Sequence, residues 1–161
     1  MNVNRSKQEG FSIRAALPSD LEGLAALYQH LNPSDEEISP DLAASRLGEI
    51  GQLPGSAVLL GLLGAVLVAS CTLIVIPNLT RGGKPYALIE NVVTHAGYRG
   101  RGYGTSILHA AAKAAWDAGC YKVMLMTGSK QPSTLKFYEN AGFEQTKTGF
   151  QIRRMSVRQD A

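Results

Sequence analysis

The residues best equipped for chemistry lie in one short run, Arg99-Gly100-Arg101-Gly102-Tyr103-Gly104-Thr105. Glycine at every second position removes side chains where main-chain N–H groups could gather round one ligand. The run before it, Ile89 to Thr94, reads as a buried strand. A helix starting at about Tyr103 adds N–H groups without a partner and the positive end of its dipole. Strand, basic glycine turn and helix start together make a site for a phosphate or pyrophosphate. Arg99 and Arg101 add charge at its rim.

The elements that must position this turn can be taken in order. Phe11 to Ala15 reads as a first strand. Pro18-Ser19-Asp20 opens a helix with Leu21, Leu24, Leu27 and Tyr28 on one face, and Asn32-Pro33-Ser34 ends it. A second helix spans about Ser39 to Ile50, entered through Ser39-Pro40. Ala57 to Ile76 is apolar and uncharged, and about 20 such residues match a membrane span. Gly61, Gly64 and the β-branched second half point instead to a hairpin of two buried strands turning at Leu63-Gly64. The strand Tyr86 to Thr94 leads into the glycine turn. The helix after it, apolar at Ile107, Leu108, Ala111, Ala112, Ala115 and Trp116, stops at Gly119. Tyr121 to Thr127 is a strand joined by a right-handed parallel crossover, and ligands bind outside the carboxyl ends of such strands. A short helix, about Pro132 to Asn140, stops at Gly142. Phe143 then begins a last pair of strands running through Phe150 to Val157. One domain over 11–158 follows a polar tail, 1–10.

At 161 residues, 45% hydrophobic and 18% charged, the chain has the composition of an ordinary folded domain. Its net charge of +3 suits an anionic ligand but is thin for nucleic acid. Arg153, Arg154 and Arg158 read as a solvated strand face. Cys71 and Cys120 show no paired spacing and read as free buried thiols of a reducing cytoplasm. His30, His95 and His109 form no ligand pattern, so no metal is expected. Met1 to Gly10 lacks the apolar core of a secretory signal.

The dinucleotide fingerprint fails here, because its third glycine would fall on Thr105 or Ile107, and no Gly-Lys-Ser/Thr occurs for a P-loop. Arg99-x-x-Gly102-x-Gly104 instead resembles the acetyl-coenzyme A motif of the GNAT superfamily of N-acetyltransferases. Leu135-Lys136-Phe137-Tyr138-Glu139-Asn140-Ala141-Gly142-Phe143 is similar to that superfamily's Phe-Tyr-x-x-x-Gly-Phe segment, and the order of elements from Phe11 matches as well. The resemblance implies an α/β fold of the α+β type. Its mixed, mostly antiparallel sheet would have six to seven strands, a parallel splayed pair in the middle and about four flanking helices. Ile89-Glu90-Asn91-Val92-Val93 and Gly119-Cys120-Tyr121-Lys122-Val123 are similar to segments of glucosamine-6-phosphate N-acetyltransferases, which typically carry aspartate in place of Asn91. Gln151 to Arg158 departs from their pattern.

What the resemblance implies is transfer of acetyl from acetyl-coenzyme A (acetyl-CoA) to a primary amine, by direct attack in a ternary complex. The acceptor would be a small molecule, with amino-sugar phosphate or a protein N-terminus or lysine as alternatives. A non-catalytic acyl-CoA binding or sensing module on the same fold is the other class. By resemblance, the pyrophosphate sits on the amides of Arg99, Gly100, Arg101, Gly102, Tyr103, Gly104 and Thr105. The main chain of Val92, Val93 and Thr94 holds the pantetheine arm, with Val93 polarising the carbonyl. Gln131 stands where many relatives have an asparagine contacting the cofactor. Tyr138 is the acid for the leaving thiolate, its phenol protonated at neutral pH with an ordinary pKa of about 10; packing into the core is the alternative. Glu90 is the candidate base, directly or through water, or else the partner of a nearby cation. His95 is a second base candidate or a solvent-exposed loop histidine. The resemblance also implies a homodimer, and no membrane or nucleic-acid partner is expected.

Overall fold

The apolar run long enough to span a membrane doubles back on itself. In the computed structural model, which describes residues 10–155, β2 (Ala57–Leu63) and β3 (Val66–Ile76) pair antiparallel about a turn at Gly64 and Ala65. No helix among the described residues is long and apolar enough to cross a membrane. β1 (Phe11–Ala15) runs antiparallel to β2, and β4 (Tyr86–Thr94) antiparallel to β3. β5 (Val123–Leu125) runs parallel to β4, giving the order β1-β2-β3-β4-β5. Gly61 sits in β2 at a register shift, and a Cβ there would lie 2.8 Å from Cζ of Phe11. Its lack of a side chain lets that ring lie across the strand, so Gly61 belongs inside the hairpin and does not break it.

The described residues also form four α-helices: α1 (Leu21–Tyr28), α2 (Pro40–Gln52), α3 (Tyr103–Asp117) and α4 (Pro132–Asn140). Asp20 prepares α1 by accepting from the Leu17 amide at 2.7 Å and pairing with Arg14 at 2.6 Å, and the Arg14 guanidinium lowers the Asp20 pKa to about 2. Ser39 caps α2, its Oγ accepting from the Leu42 amide at 3.3 Å, with Pro40 in the first turn. Leu60, Leu73, Ile89, Ile107 and Leu108 are fully buried, each contributing about 2 kcal/mol of transfer free energy. Leu24 and Leu27 of α1 join Val58, Leu60 and Val93 in one cluster, which fixes α1 against the strands that carry the site. Cys71 and Cys120 are free and buried; burial pushes the Cys71 thiol up to about 12.

The chain divides into two compact units, Met1–Leu125 and Met126–Ala161. The first holds the five strands and α1 to α3. The second holds α4, where the Phe137 and Tyr138 rings lie 5.0 Å apart and Phe143 meets Tyr138 edge-on at 6.5 Å.

The α+β class stands, but with five strands among the described residues instead of six to seven. β5 is three residues long, not seven, and the parallel pair lies at the sheet edge rather than in its middle. No strand forms between Phe143 and Met155, and the end of the expected last strand, to Val157, lies outside the described residues. The cause is pairing: a ladder needs a hydrogen-bonded neighbour. The Phe143 amide instead closes the end of α4 by donating to the Tyr138 carbonyl at 3.0 Å. α1 also stops earlier than the Asn32-Pro33-Ser34 signal, at Tyr28, the chain continuing as turns through Leu31.

Candidate active site

β4 changes character half-way along. Glu90 stands opposite Thr72 and Val93 opposite Ser70, so Asn91 and Val92 share the place facing Cys71. This is a β-bulge, and Asn91 adopts the left-handed conformation it needs, with φ +52. Asparagine tolerates that region far better than the β-branched Val92 and Val93 that follow it. Along the other edge, pairing with β5 ends at Ile89 and Leu125. Among the described residues no strand therefore covers Glu90 to Thr94 on that side. The Val93 side chain is buried in the core cluster, so what Val93 can offer a ligand is its main chain.

The glycine turn follows through a short 3-10 helix, Ala96–Tyr98, capped by His95, whose Nδ1 accepts from the Gly97 amide at 3.1 Å. Gly102 takes φ +84 as the residue before α3, a conformation that would strain any side chain bearing a Cβ. The Ser106 amide is the one that returns to the Gly102 carbonyl, at 3.0 Å. The amides just ahead of it belong to the helix start, where the dipole favours an anion. The Tyr103 ring is buried against Phe11, centroids 4.7 Å apart, so it anchors the turn and leaves only its amide for the ligand. Arg101 is exposed, its guanidinium 5.4 Å from the Tyr98 ring centroid.

Arg99 does more than charge the rim. Its Nη2 donates to the His30 carbonyl at 2.9 Å and its Nε to the Thr94 carbonyl at 3.2 Å. It thereby clamps the exit of α1 to the end of β4. The His30 ring stacks on His95 at 4.0 Å, and its Nδ1 accepts from the Ala96 amide at 3.3 Å. Burial, then His95 and then Arg99, hold the His30 pKa below its ordinary value. His95 is half-buried and engaged as a cap, not the solvent-exposed loop histidine expected as one alternative.

A cleft of about 580 Å³ opens beside the bulge, bordered by Tyr28, Asn32, Asp35, Glu36, Glu37 and Asn91 among others. Tyr28 packs against the cluster of Leu24, Leu27, Val58, Leu60 and Val93, and burial raises its pKa. Glu90, one position before Asn91, is half-buried. The ion pairs among the described residues join Arg14 to Asp20, Arg46 to Glu49 and Lys113 to Asp117, so the cation partner considered for Glu90 is not found there.

In the second unit, Gln131 is the exposed residue before α4, and its carbonyl accepts from the Thr134 amide at 3.0 Å. Tyr138 lies on α4, half-buried between Phe137 and Phe143.

A sequence profile described as the acetyltransferase (GNAT) family matches residues 24–143, a span holding both the glycine turn and the Phe137–Phe143 segment. The chain belongs to the acetyltransferase (GNAT) family. A glucosamine 6-phosphate N-acetyltransferase of Trypanosoma brucei brucei is 32% identical over 139 residues, 81% of this chain and 87% of that protein. A solved putative acetyltransferase from Agrobacterium tumefaciens superposes with a TM-score of 0.83 at 49% identity, covering 89% of this chain and 99% of that one. A glucosamine-6-phosphate N-acetyltransferase from Arabidopsis thaliana shares the fold, with a TM-score of 0.81 at 20% identity over 91% of this chain and 100% of that one. Family and relatives make this GNAT chain an acetyl-CoA-dependent N-acetyltransferase.

Two parts of the site went unread in the sequence. The bulge had one signal, an asparagine inside a β-branched run, the residue type best able to enter the left-handed region there. The cleft had none, because its lining joins α1, the turn after it and β4, which are remote in sequence.

Proposed function

We propose that this GNAT acetyltransferase acetylates a small-molecule primary amine, which attacks the thioester while both substrates are bound. The observation that carries the reading is the cleft at Asn91, which meets β4 where the bulge and the end of β5 pairing free its main chain. In this reading the pyrophosphate of acetyl-CoA rests on the amides of Arg99 to Thr105. Val92, Val93 and Thr94 hold the pantetheine arm through their main chain, Val93 polarising the thioester carbonyl. Gln131 adds a side-chain contact to the cofactor.

The neutral amine nitrogen forms the C–N bond as the C–S bond breaks. Tyr138 gives its phenolic proton to the departing sulfur. Glu90, directly or through a water, takes the proton that nitrogen loses. Fixed main-chain donors suit the oxyanion because their positions are set before the reaction begins. An acid of this kind is worth about 10²- to 10⁴-fold, which fits a single phenol. Amino-sugar phosphate is one acceptor to test, since the trypanosomal relative is named for it. Protein N-termini and lysines are others. The reading includes a cytoplasmic homodimer.

A colorimetric thiol-release assay over a panel of amines tests the function. Thiol release that depends on both acetyl-CoA and a small amine is the expected result. Binding of acetyl-CoA without release on any amine would overturn it.

A further inference from the structure

The cleft beside the β4 bulge has a charge as well as a shape. Asp35, Glu36 and Glu37 lie on its lining, and among the described residues no lysine, arginine or histidine does. The arrangement follows from the local sequence: the chain turns at Asn32-Pro33 and enters α2 at Pro40, so three consecutive acids fill the short connection between α1 and α2. This negative wall runs against the sign of the whole chain, which is +3. Leu31 and Ile38 add apolar surface, and Tyr28 and Asn91 add polar groups at the strand end. In the acetyltransfer reading above the acceptor enters through this cleft, and the charge of its lining bears on which acceptor.

We infer, resting on the acetyltransfer reading above, that the acceptor is an amine carrying at least one further positive charge and no phosphate. A phosphate monoester bears about −1.5 to −2 charge at pH 7 and would face the exposed Glu36 and Glu37 beside Asp35, with no cation among the described lining residues to receive it. The nearby Arg99 has its Nε and Nη2 committed to the Thr94 and His30 carbonyls. A second ammonium on the acceptor is attracted by the acidic wall. It also lowers the pKa of the reacting nitrogen, because like charges disfavour each other. The same molecule is thus held by one cationic centre and made more readily neutral at the other. The two apolar residues suit the alkyl stem between them.

The experiment measures kcat/KM at saturating acetyl-CoA for spermidine, glucosamine and glucosamine 6-phosphate, at several salt concentrations. Each of these surface carboxylates is worth up to about 5-fold in attraction, so spermidine is expected to exceed glucosamine 6-phosphate by about 10- to 100-fold. Added salt should lower kcat/KM for spermidine, because it screens an attraction, and raise it for glucosamine 6-phosphate, because it screens a repulsion. The triple variant Asp35→Asn, Glu36→Gln, Glu37→Gln, checked for native folding by its melting curve, should raise the spermidine KM about 10-fold or more and flatten the salt dependence. Preference for glucosamine 6-phosphate, or an unchanged spermidine KM in the triple variant, would overturn the inference while leaving acetyltransfer to small amines intact. Thiol release on none of the amines would overturn both.

Discussion

Replacing Asn91 by valine tests the bulge that shapes the site. Asn91 holds φ +52, and a β-branched side chain there costs about 1–2 kcal/mol. The strand could escape that strain only by closing the bulge. A one-residue slip turns every later side chain to the opposite face. Val93, 4% exposed and packed with Leu24, Leu27, Val58 and Leu60, would then leave the core, losing about 2 kcal/mol plus a cavity term. The strained bulge is the cheaper outcome, so the variant should fold but melt about 2–8 °C lower. Small displacement of the Val92 to Thr94 main chain should cut kcat by roughly 10-fold, since misplacement by an ångström can cost about 10²-fold. Asn91→Gly removes the same side chain yet accepts positive φ freely, so it should keep its stability within about 1 kcal/mol of wild type and most of its kcat. Differential scanning calorimetry and the thiol-release assay read both variants. Wild-type stability and turnover in Asn91→Val would refute the reasoning, and equal losses in valine and glycine would assign the effect to the lost amide.

Other outcomes follow from the same geometry. Tyr138→Phe should lower kcat by about 10²-fold or more while leaving acetyl-CoA affinity nearly intact; full turnover would remove the acid role. Glu90→Gln should shift the acidic limb of the pH–rate profile, and an unchanged profile would end the base assignment. His30 has a depressed pKa in the folded state, so the unfolded chain binds its proton more readily. Its contribution to stability is present above the unfolded value of about 6.5 and is lost as pH falls through the lower folded value. Melting temperature should therefore drop on going from pH 8 to pH 5, and the drop should shrink in His30→Gln; an equal drop in both would show that the contact between His30 and the Ala96 amide does not report the titration.

Much of the site was legible because it is local. Strand Tyr86–Thr94, the glycine turn and a helix from Tyr103 follow one another in sequence, and each carries its own signal of apolar run, glycine spacing or helix start. α4 and its stop at Gly142 were legible for the same reason. What failed depends on partners remote in sequence. Phe143 to Met155 has residues fit for strands, yet no neighbouring ladder forms among the described residues. Arg99 read as a free charge because its acceptors, the His30 and Thr94 carbonyls, are brought to it by the tertiary fold. The acidic lining at Asp35 to Glu37 drew no reading from the sequence, because its place in a cleft depends on α1 and β4 meeting beside it.

The most direct measurement is calorimetric titration of acetyl-CoA into the folded protein and into Gly102→Val. Valine at φ +84 adds about 1–2 kcal/mol of strain where the amides gather. Wild type should take up one equivalent per chain, and the variant, still folded by circular dichroism, should bind about 5- to 30-fold more weakly. No uptake by folded wild type, or equal uptake by both, would contradict a pyrophosphate held on the main chain between β4 and α3.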